Sequence, residues 1–339
     1  MRKLKFFIAA MLALTLFFVS GGGDARVAAN AAEADQYYIG GMTAGFMLSA
    51  DGTEIIGLSE VAAEDGLHRP AEDAGIHIGD TIVAVDGIAI KTIADLNAAF
   101  ERSGGKTVKL TIKRKGDSAE VEVTPVKDKK TGKFKIGVLI RDTLAGIGTV
   151  TYINKATYRF GALGHGVTDE NRNALGIADA KVYLCSVIGV NKGMRGRAGE
   201  LRGLFLNDTA IGTAEKVCDT GLYGTFDKKY DFSHCELVDI APLSEATIGK
   251  AVIYSTVDGA CPQKYEISIA KVDEGNRENK NFVIKVTDEH LLAETGGIVQ
   301  GMSGSPIVQN GKLIGAVTHV FLNDPTRGYG IGIEKMLEN

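Results

Sequence analysis

The sequence predicts a mainly β protein of two domains behind an N-terminal leader. Three observations carry this. The chain has 339 residues, enough for roughly two domains plus a leader. It holds 43 glycines and no tryptophan. Its apolar stretches are short and broken by turn residues, the pattern of strands and turns rather than of a helical bundle. With 38 basic against 42 acidic residues, net charge gives no electrostatic reason to expect a nucleic-acid partner.

The leader comes first. Arg2, Lys3 and Lys5 precede an apolar run from Phe6 to Ser20, and no charge appears before Asp24. Ala29-Asn30-Ala31 offers a small-x-small cleavage site downstream. The run has the length of a signal-peptide core and sits at the lower edge of what spans a bilayer. Residues 1–36 therefore read as a signal peptide or membrane anchor with a flexible linker. The body of the protein is expected outside the cytoplasm, secreted or membrane-anchored.

The next domain is placed at 37–126. Gly75, Gly79-Asp80 and Asp86-Gly87 bracket a short apolar strand over 81–85. A helix is expected over 93–102: Thr92 and Asp95 form a capping-box start, Ile93, Leu96 and Phe100 share a face, and Gly104-Gly105 ends it. Val108, Leu110 and Ile112 alternate with polar residues, a turn follows at Lys115-Gly116-Asp117, and Val121 and Val123 alternate on the partner strand. With its Gly-x-x-x-Gly-Asp signature, the segment resembles a PDZ domain of the bacterial protease type, an α+β fold. PDZ domains take up extended peptides as an added strand at a sheet edge. The groove is expected beside residues 54–58 and the face of the 93–102 helix. His68 and His77 read as surface residues.

A charged link, 128–133, leads into the second domain, placed at 127–339. Apolar stretches at 136–140, 147–153, 182–190, 251–254, 265–269, 282–286 and 313–320 favour an all-β sandwich or barrel. Cys185, Cys218, Cys235 and Cys261 include no Cys-x-x-Cys pair, so no zinc site is expected. Disulfides and free thiols both stay open for an exported chain.

The chemistry concentrates in Gly301-Met302-Ser303-Gly304-Ser305-Pro306, ahead of a hairpin turning at Asn310-Gly311. Glycines around a serine let the backbone turn tightly and aim N–H groups at one point, as a nucleophile with an oxyanion site requires. His165 stands between Gly164 and Gly166, open to approach, as a general base must be. Base first and nucleophile last is the order of the trypsin-like double barrel and not of the α/β-hydrolases.

Gly161-Ala162-Leu163-Gly164-His165, the run from Thr295 to Ile307 and the run from Gly315 to Thr326 together resemble the stage IV sporulation protein B peptidases. These are PDZ-containing serine peptidases of endospore-forming bacteria. The resemblance implies a trypsin-like double β-barrel serine peptidase domain. It implies Ser303 as nucleophile, His165 as base and Asp288 as orienting acid, with Asp169 the local competitor. The N–H groups of Gly301 and Ser303 would form the oxyanion hole. His319 is expected to line the specificity pocket. No metal or cofactor is called for.

The resemblance further implies a role in sporulation signalling, in the space between the two forespore membranes. There the enzyme would cut a regulatory membrane protein and release an intramembrane protease that activates a late sigma factor. Self-cleavage would fall within 21–34, and the PDZ domain would bind peptide tails. The alternatives are a non-catalytic PDZ scaffold binding membrane-protein tails and a general extracytoplasmic quality-control protease.

Overall fold

The computed structural model describes residues 36–114, 116–167 and 177–339; the expected leader lies outside them. The chain divides into two compact units. Among the described residues, one comprises 45–114, 116–146, 167 and 177–182, the other 36–44, 147–166 and 183–339.

This division differs from the expected boundary at 126. The charged link is the turn of a hairpin, since Val126–Lys127 pairs with Phe134–Lys135. The chain therefore returns to the core it had left, and Ile136 is buried there. At the other end, Tyr37–Ile39 pairs with residues 152–154 and with 237–238, so it belongs to the second unit.

The PDZ-like unit is built as its sequence pattern indicates. Ile93–Ser103 is a helix whose capping box joins Thr92 and Asp95, with Gly104 in the left-handed region at its end. Its inner face, Leu96, Ala99 and Phe100, packs with Ile55, Ile82, Leu110 and Ile112. The Gly-x-x-x-Gly-Asp signature has a structural purpose. Asp80 is buried and takes a two-pronged contact from Arg114, at 2.7 Å to Oδ1 and 2.6 Å to Oδ2. The same guanidinium donates to the Gly75 carbonyl. Burial pushes the Asp80 carboxyl up, but Arg114 and the His77 N–H outweigh it and hold it below its ordinary value.

The expected peptide edge needs correction. The Thr43–Leu58 strand is flanked there by the start of the Val138–Asn154 strand. Ser59 N–H donates to the Gly137 carbonyl, a Cβ on Gly57 would touch Leu139, and Arg141 pairs with Glu54 at 2.9 Å. Residues 134–142 instead run along the Ile93–Ser103 helix. Phe134 N–H donates to Glu101 near its C-terminal end, and Asp142 accepts from Ile93 N–H at its start. The strand facing the helix is thus 138–142. The sequence points to 54–58 as the edge because the charged run 128–133 reads as a link, which places 138–142 in the next domain.

The second unit is mainly β. Gly249–Ser255, Gln263–Val272, Phe282–Val286, Asp324–Gly332, Lys312–Phe321 and Pro306–Gln309 pair antiparallel in that order, and the last returns to the first. That closes a six-stranded barrel with no free edge. Tyr265, Ile267 and Ile269 alternate inward, as do Phe282, Ile284 and Val286, the period-2 pattern of strands. Residues 147–154, Arg159–Ala162, Gly221–Phe226 and Gly212–Cys218 form a second antiparallel set, in which Phe160 stacks on Phe226 at 4.4 Å. Asn310 and Gly311 both have positive φ, the expected hairpin turn. All four cysteines are free thiols, and burial pushes that of Cys185 up to about 11.

Candidate active site

Ser303 lies in the turn between the Glu289–Thr295 helix and the Pro306–Gln309 strand, on the rim of the closed barrel. Thr149, fully buried on its strand, fixes this turn at two points. Its hydroxyl donates to the Gly301 carbonyl at 2.8 Å, and its N–H donates to the Ser303 carbonyl at 3.0 Å. Thr151, also buried, donates to the Gly304 carbonyl at 2.7 Å. The N–H groups of Gly301 and Ser303 donate to no acceptor among the described residues. They remain two unclaimed donors beside the hydroxyl.

His165 follows the Arg159–Ala162 strand through a tight turn in which Leu163 and Gly164 both have φ near +70°. Leucine at positive φ is costly, and the turn is held by Leu163 N–H donating to Thr149 and Gly164 N–H to Ala162. The two loops interlock. A Cβ on Gly304 would stand 2.0 Å from the Thr149 carbonyl oxygen and 2.6 Å from the Leu163 nitrogen. A Cβ on Gly164 would stand 3.1 Å from the Thr318 methyl. The glycines beside Ser303 and His165 thus permit the close approach of the two turns.

The structure brings Ser303, His165 and His319 to one strand. Ser303 Oγ donates to the Thr318 carbonyl at 2.8 Å, and the rings of His165 and His319 lie 4.9 Å apart at 40°. No hydrogen bond joins Ser303 to His165 among the described residues. The carbonyl of Gly166 can only accept, so its 2.8 Å contact with His165 Nδ1 puts the proton on Nδ1 and leaves Nε2 with its lone pair. Burial lowers the His165 pKa, opposed by the Gly166 bond. The imidazole is therefore held neutral, the form a general base needs.

Asp288 is not brought to His165. It is the N-cap of the Glu289–Thr295 helix: Oδ1 accepts from Leu291 N–H at 2.9 Å and Oδ2 from Glu266 N–H at 3.2 Å. An aspartate three residues before a leucine at a helix start serves there as a cap. Asp169 lies outside the described residues. Sequence reasoning missed Thr149, Thr151 and Thr318. A signal was present in two polar residues at alternate positions of the otherwise apolar run Gly148-Thr149-Val150-Thr151-Tyr152-Ile153. Among the described residues no cluster of three His, Cys, Asp or Glu is gathered to hold a metal.

A PDZ unit joined to a β-barrel unit with a glycine-framed serine and a neutral histidine defines the class of PDZ-bearing serine-peptidase folds. The family model of the SpoIVB peptidase S55 matches residues 132–337, and that of the PDZ domain matches 61–124. The chain belongs to the SpoIVB peptidase S55 family.

It is also similar to two bacterial proteins named as zinc metalloproteases. One, from Clostridium acetobutylicum, is 30% identical over 89 residues, 25% of this chain and 26% of that protein. The other, from Lactococcus lactis, is 32% identical over 148 residues, 37% and 33%. The chain thus spans between a quarter and a third of the length of these relatives. Among solved structures, the PDZ domain of an SdrC-like protein from Listeria monocytogenes is 25% identical, with 28% of this chain and 93% of that one covered and a TM-score of 0.23. The HtrA-type protease AlgW with a decapeptide is 13% identical, with 61% and 53% covered and a TM-score of 0.33.

Proposed function

We propose that the protein is an exported serine endopeptidase. The interlocking of the Gly304 and Leu163–Gly164 turns carries this reading, because it sets an alcohol and a neutral imidazole on one strand. On substrate entry Ser303 leaves the Thr318 carbonyl. Its oxygen bonds to the peptide carbonyl carbon as its proton passes to His165 Nε2. The N–H groups of Gly301 and Ser303 receive the developing oxyanion. The C–N bond then breaks, His165 returns the proton to the leaving amine, and water releases the acyl group by the reverse sequence.

Membership of the S55 family supports a place in sporulation signalling, with a regulatory membrane protein as substrate, in the space between the two forespore membranes. In the PDZ unit, the edge of residues 138–142 opposite the Ile93–Ser103 helix would take an extended peptide tail as an added strand. A serine-directed fluorophosphonate tests the core of this reading. The parent protein should be labelled and should cut labelled casein, and Ser303→Ala should do neither. Equal labelling of both proteins would refute it.

A further inference from the structure

We propose that His319 is a positioning residue: its ring packs on the His165 imidazole and fixes that ring with Nδ1 on the Gly166 carbonyl, leaving Nε2 for the Ser303 hydroxyl. The inference rests on the peptidase reading above.

A triad histidine needs something to hold its plane. Here Nδ1 meets a backbone carbonyl of the adjacent residue, a short-range contact that restrains the ring on one side only. Among the described residues a second contact on that ring is His319, whose ring lies 4.9 Å away. His319 follows Thr318, whose carbonyl holds the Ser303 hydroxyl and whose methyl abuts the Gly164 turn. The residue is therefore registered to nucleophile and base through a single stretch of strand. Its ring makes no hydrogen bond among the described residues, so packing is what it offers.

The charged groups nearby are consistent with that. Desolvation, then His165, then Lys280 bring the His319 pKa down to about 4. Lys280 is itself paired with Glu278 at 2.9 Å, and Asp219 stands exposed beside Gly166. His319 is therefore uncharged where the enzyme would work and acts on His165 by covering it. Removing the cover admits water and raises the His165 pKa toward about 6.5.

The test compares His319→Ala, His319→Gln and His319→Phe in the full chain. The substrate is a quenched peptide taken from a casein site that the parent cuts, with kcat and KM read across pH and melting followed in parallel. Loss of the ring, in the Ala and Gln variants, should lower kcat by about 100-fold, the scale of an ångström misplacement. KM should stay near the parental value, and the acidic limb of kcat/KM should move up. Phenylalanine restores the cover without the nitrogens, so it should recover most of kcat and the parental limb. Parental kcat in His319→Ala would overturn the proposal. So would a change confined to KM and side-chain preference, which would return His319 to the specificity pocket. Failure of the peptidase reading shows separately, as parent protein that neither cuts nor labels.

Discussion

The Ser303 hydroxyl donates to the carbonyl of Thr318 at 2.8 Å, although the His165 ring lies against the very next residue of that strand. The Ser303 hydroxyl is thus held on the backbone of the strand beside the His165 ring, not on that ring. A neutral hydrogen bond of this kind contributes about 1 kcal/mol net, small against the barrier of peptide hydrolysis, so a bound substrate can turn the hydroxyl toward Nε2. Catalytic contacts commonly tighten only in the substrate complex.

Thr149 should govern the precision of that arrangement. Thr149→Val keeps the N–H to the Ser303 carbonyl but removes the hydroxyl from the Gly301 carbonyl. We expect a stability loss of about 1 kcal/mol, a kcat about tenfold lower and a KM close to the parental value. A raised KM with kcat intact would place Thr149 in substrate binding instead.

Gly304 tolerates no side chain. Its φ is 95°, and a Cβ would stand 2.0 Å from the Thr149 carbonyl oxygen, so Gly304→Ala must push apart the two loops that hold nucleophile and base. The expected result is loss of fluorophosphonate labelling and a melting temperature well below the parent's. Gly311→Ala is the control. It has a similar φ of 76° but nothing within 4 Å, so backbone strain of about 1–2 kcal/mol is its whole cost.

How far the sequence could be read depended on the range of the interactions involved. The capping box at Thr92, the Asn310-Gly311 turn and the alternation of Tyr265, Ile267 and Ile269 are local, and each is found where its pattern places it. The glycine frames of His165 and Ser303 were legible for the same reason. What was not legible depends on partners far along the chain. Ile136 returns to the PDZ core across a charged hairpin that read as a linker. Thr149 reaches Gly301 from 152 positions away. Asp288 has a local signal too, that of a helix N-cap, and family likeness set it aside in favour of a triad role.

The pH profile should carry the mark of burial at His165. Desolvation lowers its pKa and the Gly166 bond only partly opposes this. Nε2 is available above that pKa and lost as pH falls through it. The acidic limb of kcat/KM should therefore lie below about 6.5, the value of an unperturbed imidazole. Titration of the parent protein with a peptide substrate between pH 4 and 8 checks this. A limb above the ordinary value would require a carboxylate on Nδ1.

Asp288 decides between a cap and a triad acid. Its two oxygens take the N–H groups of Leu291 and Glu266, and asparagine caps helices about as well as aspartate. Asp288→Asn keeps the cap on Leu291 N–H but turns the second acceptor into a donor facing Glu266 N–H, so it should lose about 1 kcal/mol of stability and keep its kcat. Asp288→Ala should lose about 1 kcal/mol of stability while its folded molecules still turn over normally. An acid orienting His165 predicts the opposite for the asparagine variant, a fall in kcat approaching 10⁴-fold with the fold intact. Measuring kcat per labelled active site, alongside melting, separates the two outcomes, and a large loss in the asparagine variant would mean that Asp288 leaves its cap to reach His165 during turnover.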